Sequence, residues 1–167
     1  MIKSAEYWIE FLELKPHPEG GYYKEIYRSV DEIPGNTLAS FSEKRSICTS
    51  IYFLLGPNDI SHFHRIKSDE LWFFHDGDAI HIHTLSGVGH KILELGPNAV
   101  QGESLQQLVP AGHWFASHVK EGGQFALVSC VVAPGFDFAD FEMAELTSLL
   151  EAFPDYGAIV QRLTLKN

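Results

Sequence analysis

The chain has 167 residues and carries a formal net charge of -10 at neutral pH. So acidic a surface repels phosphate backbones and anionic lipid head groups, which argues against nucleic-acid and membrane partners. Hydrophobic residues make up 45% of the chain, yet no apolar run approaches the roughly 18 residues of a membrane span. We therefore expect a single cytoplasmic domain over residues 1–167 that is large enough to bury a core.

The N-terminal part predicts a short helix, a strand and a loop. Ser4 can cap a helix that runs to about Leu14, and the Pro- and Gly-rich residues 15–21 must end it. Residues 22–28 are typical of a strand, whereas the polar residues 31–45 indicate a loop. The first residues lack the apolar core of a signal peptide, in keeping with the expected location.

From Ser46 onward the chain predicts many short strands separated by Gly- and Pro-containing turns. Such a pattern is typical of an antiparallel sandwich or barrel. A helix is expected over residues 141–152, and a last short one over 156–163. The predicted strands lie near residues 47–55, 60–66, 70–75, 79–85, 90–95, 105–109, 113–118 and 125–133.

The two cysteines, Cys48 and Cys130, both lie in apolar strand-like runs. We expect both to be reduced and buried, as small apolar side chains in an intracellular protein usually are.

Two histidines in the predicted strand at residues 60–66 are the strongest functional signal. Residues two apart on a strand leave the same face, so the His62 and His64 rings should project together, with Cα atoms about 6.6 Å apart. Glu70 lies where the chain can return on a neighbouring strand. Two imidazoles and a carboxylate suit either acid–base catalysis or a divalent metal, so all three residues are candidates for both roles.

The same stretch resembles the first sequence motif of the cupin superfamily. Gly56 is followed after five residues by His62-Phe-His64, and Glu70 is followed after six residues by Gly77. The gap between His64 and Glu70 is longer than cupins usually show. The resemblance implies a metal bound by these histidines and this carboxylate.

A second motif, Pro110-Ala-Gly-His-Trp-Phe115, resembles the second cupin motif, but Phe115 stands where the last metal-binding histidine is expected. His113 is the substitute ligand if a metal binds. Further phrases, such as His17-Pro-Glu-Gly-Gly-Tyr-Tyr23, are similar to small stand-alone cupins grouped as a domain of unknown function (cupin family five). The resemblance extends from about residue 4 to residue 164.

This resemblance implies a mainly β fold, a double-stranded β-helix or jelly roll, with a short N-terminal helix and one or two C-terminal helices. It also implies a homodimer with a ligand cavity inside the barrel. The strand at residues 22–28 is a candidate for exchange between subunits.

Side chains near the motif supply the candidate cavity wall. Alternation places Glu70, Trp72 and Phe74 on one face; if that face is inward, desolvation raises the pKa of Glu70. His81 and His83 form a second His-x-His pair, which we interpret as facing the exterior. The ligand-binding candidates are Tyr22, Tyr52, Trp72, Phe74, His113 and Phe115.

Three functions remain open at this point. The first is an epimerase- or isomerase-like enzyme that needs no cofactor and uses a cavity histidine as acid or base on a small molecule such as a carbohydrate derivative. The second is a cupin enzyme that depends on one weakly held divalent ion: Zn, Fe, Mn or Ni. The third is a metabolite-binding module without chemistry.

Overall fold

The computed structural model describes residues 3–166, in which strands dominate and short helices flank them. The strands are β1 (Lys15–Pro16), β2 (Tyr22–Arg28), β3 (Glu32–Ile33), β4 (Arg45–Ser46), β5 (Thr49–Leu55), β6 (Ile60–Arg65), β7 (Asp69–Gly77), β8 (Ile80–Ser86), β9 (Gly89–Leu95), β10 (Gln106–Val109), β11 (Trp114–Val119), β12 (Ala126–Ala133) and β13 (Glu142–Met143). The α-helices are α1 (Ala5–Leu12), α2 (Leu146–Ala152) and α3 (Gly157–Leu163). None of the helices formed by residues 3–166 combines the length and apolar character needed to cross a bilayer.

Eleven of the thirteen strands form two facing sheets, and β3 and β4 pair separately. One sheet has six strands in the order β1-β2-β5-β12-β7-β10, and the other has five in the order β13-β6-β11-β8-β9. Neighbouring strands pair antiparallel within both sheets. The chain alternates between the sheets, which confirms the predicted mainly β, double-stranded β-helix architecture.

The core lies between the sheets because alternate residues of each strand point inward. Its members include Phe53, Leu55, Trp72, Ile80, Ile82, Leu95, Val109 and Phe115. Two smaller clusters cover the outer faces: α1 packs on the six-stranded sheet, and α2 and α3 pack on the five-stranded sheet. The barrel is therefore covered on both sides.

The predicted strands from residue 47 onward all occur, with ends shifted by a few residues, and the predicted helix at 141–152 is wrong in its first part. The chain makes a short 3-10 turn at Phe138–Asp140 and then pairs β13 with β6. The helix begins at Leu146 because Glu145 caps it, its carboxylate accepting from the Thr147 and Ser148 backbone N–H groups.

The two cysteines are free thiols. Cys130 is buried as expected, whereas Cys48 is only half-buried.

Candidate functional site

A bulge in β6 separates the two histidines that were expected to share a face. Ser61 pairs with Ser117 of β11, and His64 pairs with Phe115. The two residues of β6 are three positions apart but their partners only two, so β6 carries an extra residue there. The bulge interrupts the strict alternation of side chains. His64 is 2% exposed and lines a cavity, whereas His62 lies outside that cavity. The expected convergence of both rings on one point is therefore not found.

Glu19 takes the place beside His64, on the loop that joins β1 to β2. The Ser61 hydroxyl donates to its Oε1 at 2.8 Å, and the His62 backbone N–H donates to its carbonyl oxygen at 2.8 Å. The following residue, Gly20, has a φ of 113°, and a Cβ there would collide with the Ile60 carbonyl oxygen. Only glycine lets this loop press against β6 and turn Glu19 into the barrel.

Glu19 and His64 share one proton. His64 Nδ1 lies 2.7 Å from the His62 carbonyl oxygen, so Nδ1 must carry the hydrogen that it donates there. His64 Nε2 lies 3.1 Å from Glu19 Oε2, and a hydrogen between them belongs either to the carboxyl or to the ring. Burial lowers the pKa of His64 to about 4 and raises the pKa of Glu19, which favours the neutral pair.

His17 flanks the same carboxyl group. The Glu19 backbone N–H donates to His17 Nδ1 at 3.3 Å, and burial lowers the pKa of His17. The His17 ring meets the Tyr23 ring edge-on at a centroid distance of 4.5 Å. The neutral ring therefore acts here as an acceptor and as part of an aromatic wall.

A second buried carboxyl, Glu70 on β7, faces the same space. It is 8% exposed and its side chain points inward, so the face that alternation gives to Glu70 is the inward one. Burial raises the pKa of Glu70 to about 8; Coulombic repulsion from Glu19 adds to the rise, and a hydrogen bond from the Cys130 thiol opposes it. At neutral pH, Glu70 is therefore mainly a carboxylic acid that can donate a proton.

These groups line one cavity of about 290 Å³, near the lower end of the size range of small-molecule sites. His17, Glu19, His64, Glu70 and Cys130 supply its reactive groups. The remaining lining residues are Tyr23, Glu25, Arg28, Thr49, Ile51, Phe53, Ile66, Val132, Phe136, Asp137, Phe138 and Phe141.

Residues 6–144 match the protein family described as Cupin superfamily (DUF985). The chain belongs to the cupin superfamily. This cupin is also 33% identical over 147 residues to an uncharacterized protein of Saccharomyces cerevisiae, which covers 82% of this chain and 73% of the yeast protein.

Two solved structures are similar to nearly the whole of this chain. A hypothetical protein from Leishmania major is 35% identical, with a TM-score of 0.91 over 98% of this chain and 100% of that one. A protein from Shewanella oneidensis is 40% identical, with a TM-score of 0.89 over 99% and 100% of the two chains. Oxalate decarboxylase from Bacillus subtilis, at 17% identity and a TM-score of 0.55 over 94% of this chain and 38% of its own, shares the fold alone.

The ligand-binding candidates of this cupin fall outside the cavity: Tyr22 and Tyr52 lie on the outer face, Trp72, Phe74 and Phe115 in the core, and His113 in the turn before β11. The outward position of Tyr22 follows from alternation, because its neighbour Tyr23 lines the cavity. These six placements correct the predicted wall.

The cavity does not assemble the metal-ligand set that the cupin motifs imply. His62 lies outside the cavity, with its Nδ1 2.8 Å from the Glu19 carbonyl oxygen, and the ring of Phe115, in place of the expected histidine, lies 4.1 Å from the ring of His64 between centroids. His64 Nε2 already faces Glu19. Of the predicted set His62, His64 and Glu70, only the last two line the cavity, so the residues present do not fit a metal there.

A different group of donors meets on the outside of the barrel. Among residues 3–166, three potential metal-binding atoms within 4.8 Å of one another occur only at His81, His83 and His118, which we call the outer histidine cluster. His81 and His83 lie on the outer face as predicted, but His83 is only 4% exposed. Burial lowers the pKa of His83 to about 3, with a further contribution from His118. Its ring is therefore neutral at physiological pH.

Proposed function

We propose that this cupin binds a small polar metabolite in the barrel cavity and moves a proton on it, as an epimerase or isomerase does. The observation that carries the proposal is the meeting of two buried carboxyl groups, Glu19 and Glu70, with the neutral imidazole of His64 around one cavity. Titratable groups whose pKa values are displaced together by burial mark candidate acid–base sites.

Glu19 is the proposed base, with His64 as the residue that sets its proton state. When the shared proton moves from Glu19 Oε2 to His64 Nε2 across their 3.1 Å contact, the carboxyl becomes a carboxylate. Ser61 and the His62 carbonyl hold the two partners in place. The proposal thus gives His64 a supporting role, whereas from the sequence we expected the imidazole itself to remove the substrate proton.

Glu70 is the proposed acid. In the first step, Glu19 takes a proton from the carbon next to a carbonyl group, the C–H electron pair forms a C=C bond, and the carbonyl oxygen takes the proton of Glu70. In the second step of an isomerisation, Glu70 takes the proton of the hydroxyl on the carbon that was deprotonated, a carbonyl forms there, and Glu19 returns its proton to the former carbonyl carbon. In an epimerisation, Glu70 recovers its proton from the same oxygen, water gives a proton to the opposite face of the carbon, and Glu19 releases its proton to water. Atoms and charge balance without a cofactor.

A sugar derivative is the proposed substrate class. The cavity combines these polar groups with the rings of Tyr23, Phe53, Phe136 and Phe141, and aromatic faces against a few convergent polar groups are typical of sites for small polar ligands. Arg28 lies at the rim, where Glu25 accepts from its guanidinium at 2.7 Å and 2.9 Å.

Carbon-bound hydrogen exchange tests the proposal across a range of candidate substrates. The protein is incubated in D₂O with a panel of aldoses, ketoses and their phosphates, and loss of the proton next to the carbonyl is followed by NMR. We expect exchange in at least one compound. Glu19→Gln and Glu70→Gln should each slow it by about 10²–10⁴-fold.

Glu142→Gln, which alters a carboxylate that is exposed and outside the cavity, is the matched control and should exchange at the wild-type rate. Exchange that persists in both cavity variants contradicts the assignment of Glu19 and Glu70. A compound that binds without exchange and emerges unchanged shows a binding module in place of an enzyme.

That the protein is a homodimer and that it is cytoplasmic both stay predictions. The edge of β2 supports the homodimer. β2 pairs with β5 of the same chain, whereas on its other side only Tyr22 and Tyr23 pair, with β1. Ile26 is 48% exposed. Sedimentation should give twice the monomer mass of 18.7 kDa, and Ile26→Lys should shift the protein toward monomer. A wild-type monomer at all concentrations contradicts the prediction.

A further inference from the structure

We propose that the outer histidine cluster, formed by His81, His83 and His118, is a binding site for a divalent transition-metal ion, with zinc as the best fit. The site is separate from the barrel cavity and independent of the reaction proposed there. Imidazole nitrogens are typical ligands of Zn²⁺, and three protein ligands with an open fourth position are a common zinc arrangement.

Strand pairing brings the three rings together. His81 on β8 lies directly opposite His118 on β11, and His83 lies two residues further along β8 on the same face. The inward neighbours Ile80 and Ile82 belong to the barrel core, so the histidines point away from the cavity. The C-terminal helices pack against the same sheet.

The distances suit one ion between the rings. His83 Nε2 and His118 Nε2 lie 3.1 Å apart, and ligand atoms of all three residues lie within 4.8 Å of one another. Two nitrogens bound to one tetrahedral zinc at about 2.0–2.1 Å are separated by roughly 3.3 Å. The His83–His118 pair is therefore already spaced as two ligands of one ion, and His81 needs only a small movement to join them.

The other ring nitrogens have partners that orient the rings. His118 Nδ1 lies 2.8 Å from the Val119 carbonyl oxygen and donates to it, which leaves the Nε2 lone pair free for a metal. His83 Nδ1 lies 3.0 Å from His90 Nε2, so His90 can accept a hydrogen from His83, whose own Nε2 is then free in the same way. Metal-binding histidines usually have such a partner on the second nitrogen.

His81 supplies an independent observation. Its Nε2 is buried and has no hydrogen-bond partner. A hydrogen-bonded chain from His90 through His83 to His118 would satisfy those three rings without an ion, but it leaves His81 Nε2 unpaired, and an unpaired buried polar atom is costly. An ion at the meeting point gives this nitrogen a partner.

The charges around the cluster are mixed. Glu94 lies opposite His81 on β9, and the carboxylates of Glu103 and Glu121 attract positive charge at His81 and His118 respectively. The positive charge of Arg162 on α3 disfavours a further positive charge at His83 and His118. Lys120, which contacts both Glu94 and Glu103, offsets part of their charge.

Zinc binding by tag-free, chelator-treated protein is the direct test, with calorimetry in a competing chelator as the measurement. We expect one equivalent of Zn²⁺ per chain. His81→Asn, which removes the ring with the unpaired nitrogen, should weaken binding by at least about 100-fold. Because His83 and His118 are buried, circular dichroism should accompany His118→Gln to show that it folds.

His113→Gln is the matched control, since it removes an imidazole that lies apart from the cluster, and it should retain the wild-type affinity. Co²⁺ in place of zinc should give the intense visible absorption of a tetrahedral ion, and His81→Asn should abolish it. The proposal is overturned if wild-type protein binds no zinc, if His81→Asn and His118→Gln bind it as tightly as wild type, or if His64→Gln is the variant that loses it.

Discussion

Asp140→Ala should lower the free energy of unfolding by about 3–5 kcal/mol, because it leaves the Arg45 guanidinium buried without its counter-charge. The two carboxylate oxygens of Asp140 accept from Arg45 Nε at 2.6 Å and from its terminal nitrogen at 2.9 Å. Both residues are 7% exposed, so water compensates only poorly for the lost partner. Urea denaturation followed by circular dichroism measures the change.

The same variant should also disturb the cavity. Asp140 lies between Phe138 and Phe141, both of which line it, and its pairing with Arg45 on β4 anchors this segment across the fold. Loss of the pair therefore frees an aromatic part of the cavity wall.

An exposed ion pair provides the control. Arg65 Nε donates to Glu142 at 2.8 Å, but the two side chains are 41% and 55% exposed, so Glu142→Ala should cost less than about 1 kcal/mol. The double variant Arg45→Met with Asp140→Leu should recover most of the loss, since it removes both buried charges and leaves unpaired only the half-exposed Lys67, which lies 3.3 Å from Asp140. Equal effects of Asp140→Ala and Glu142→Ala would contradict this account of the buried pair.

The strand pattern of this cupin could be predicted from sequence because turns and alternation are local signals. Glu70 shows the reach of such reasoning: alternation placed it on one face with Trp72 and Phe74, and on condition that this face is inward, desolvation predicted the direction of its pKa change. The same rule failed for His62 and His64, since a single bulge resets the alternation and leaves no mark in the composition of β6.

Glu19 was missed for a different reason. It lies 42 residues before its partner Ser61, and nothing local shows that its loop enters the barrel. The one local signal was Gly20-Gly21 directly after a carboxylate, since consecutive glycines allow a backbone to turn sharply against a neighbour. The outer histidine cluster was missed in part because it joins β8 to β11, a pairing that the sequence does not reveal.

Glu70 should make a large contribution to the pH dependence of stability. Because its pKa is about 8 in the folded protein and 4.5 in the reference state, the folded protein binds more protons than the unfolded chain between those values. The contribution of the Glu70 carboxyl to the free energy of unfolding is fully present below pH 4.5, and it is lost as the pH rises through 8. Between pH 5 and pH 8 the loss amounts to roughly 3 to 4 kcal/mol.

Comparison of wild type with Glu70→Gln isolates this contribution. The histidines with lowered pKa values, such as His64 at about 4, make wild type gain stability as the pH rises toward 6.5, which masks Glu70 in that range. They titrate equally in both proteins, so the difference between the two unfolding curves reports Glu70. We expect the free energy of unfolding of Glu70→Gln, measured relative to that of wild type, to rise by roughly 3 to 4 kcal/mol between pH 5 and pH 8. Parallel curves for the two proteins would mean that Glu70 is ionised in the folded barrel, and it could not then serve as the acid.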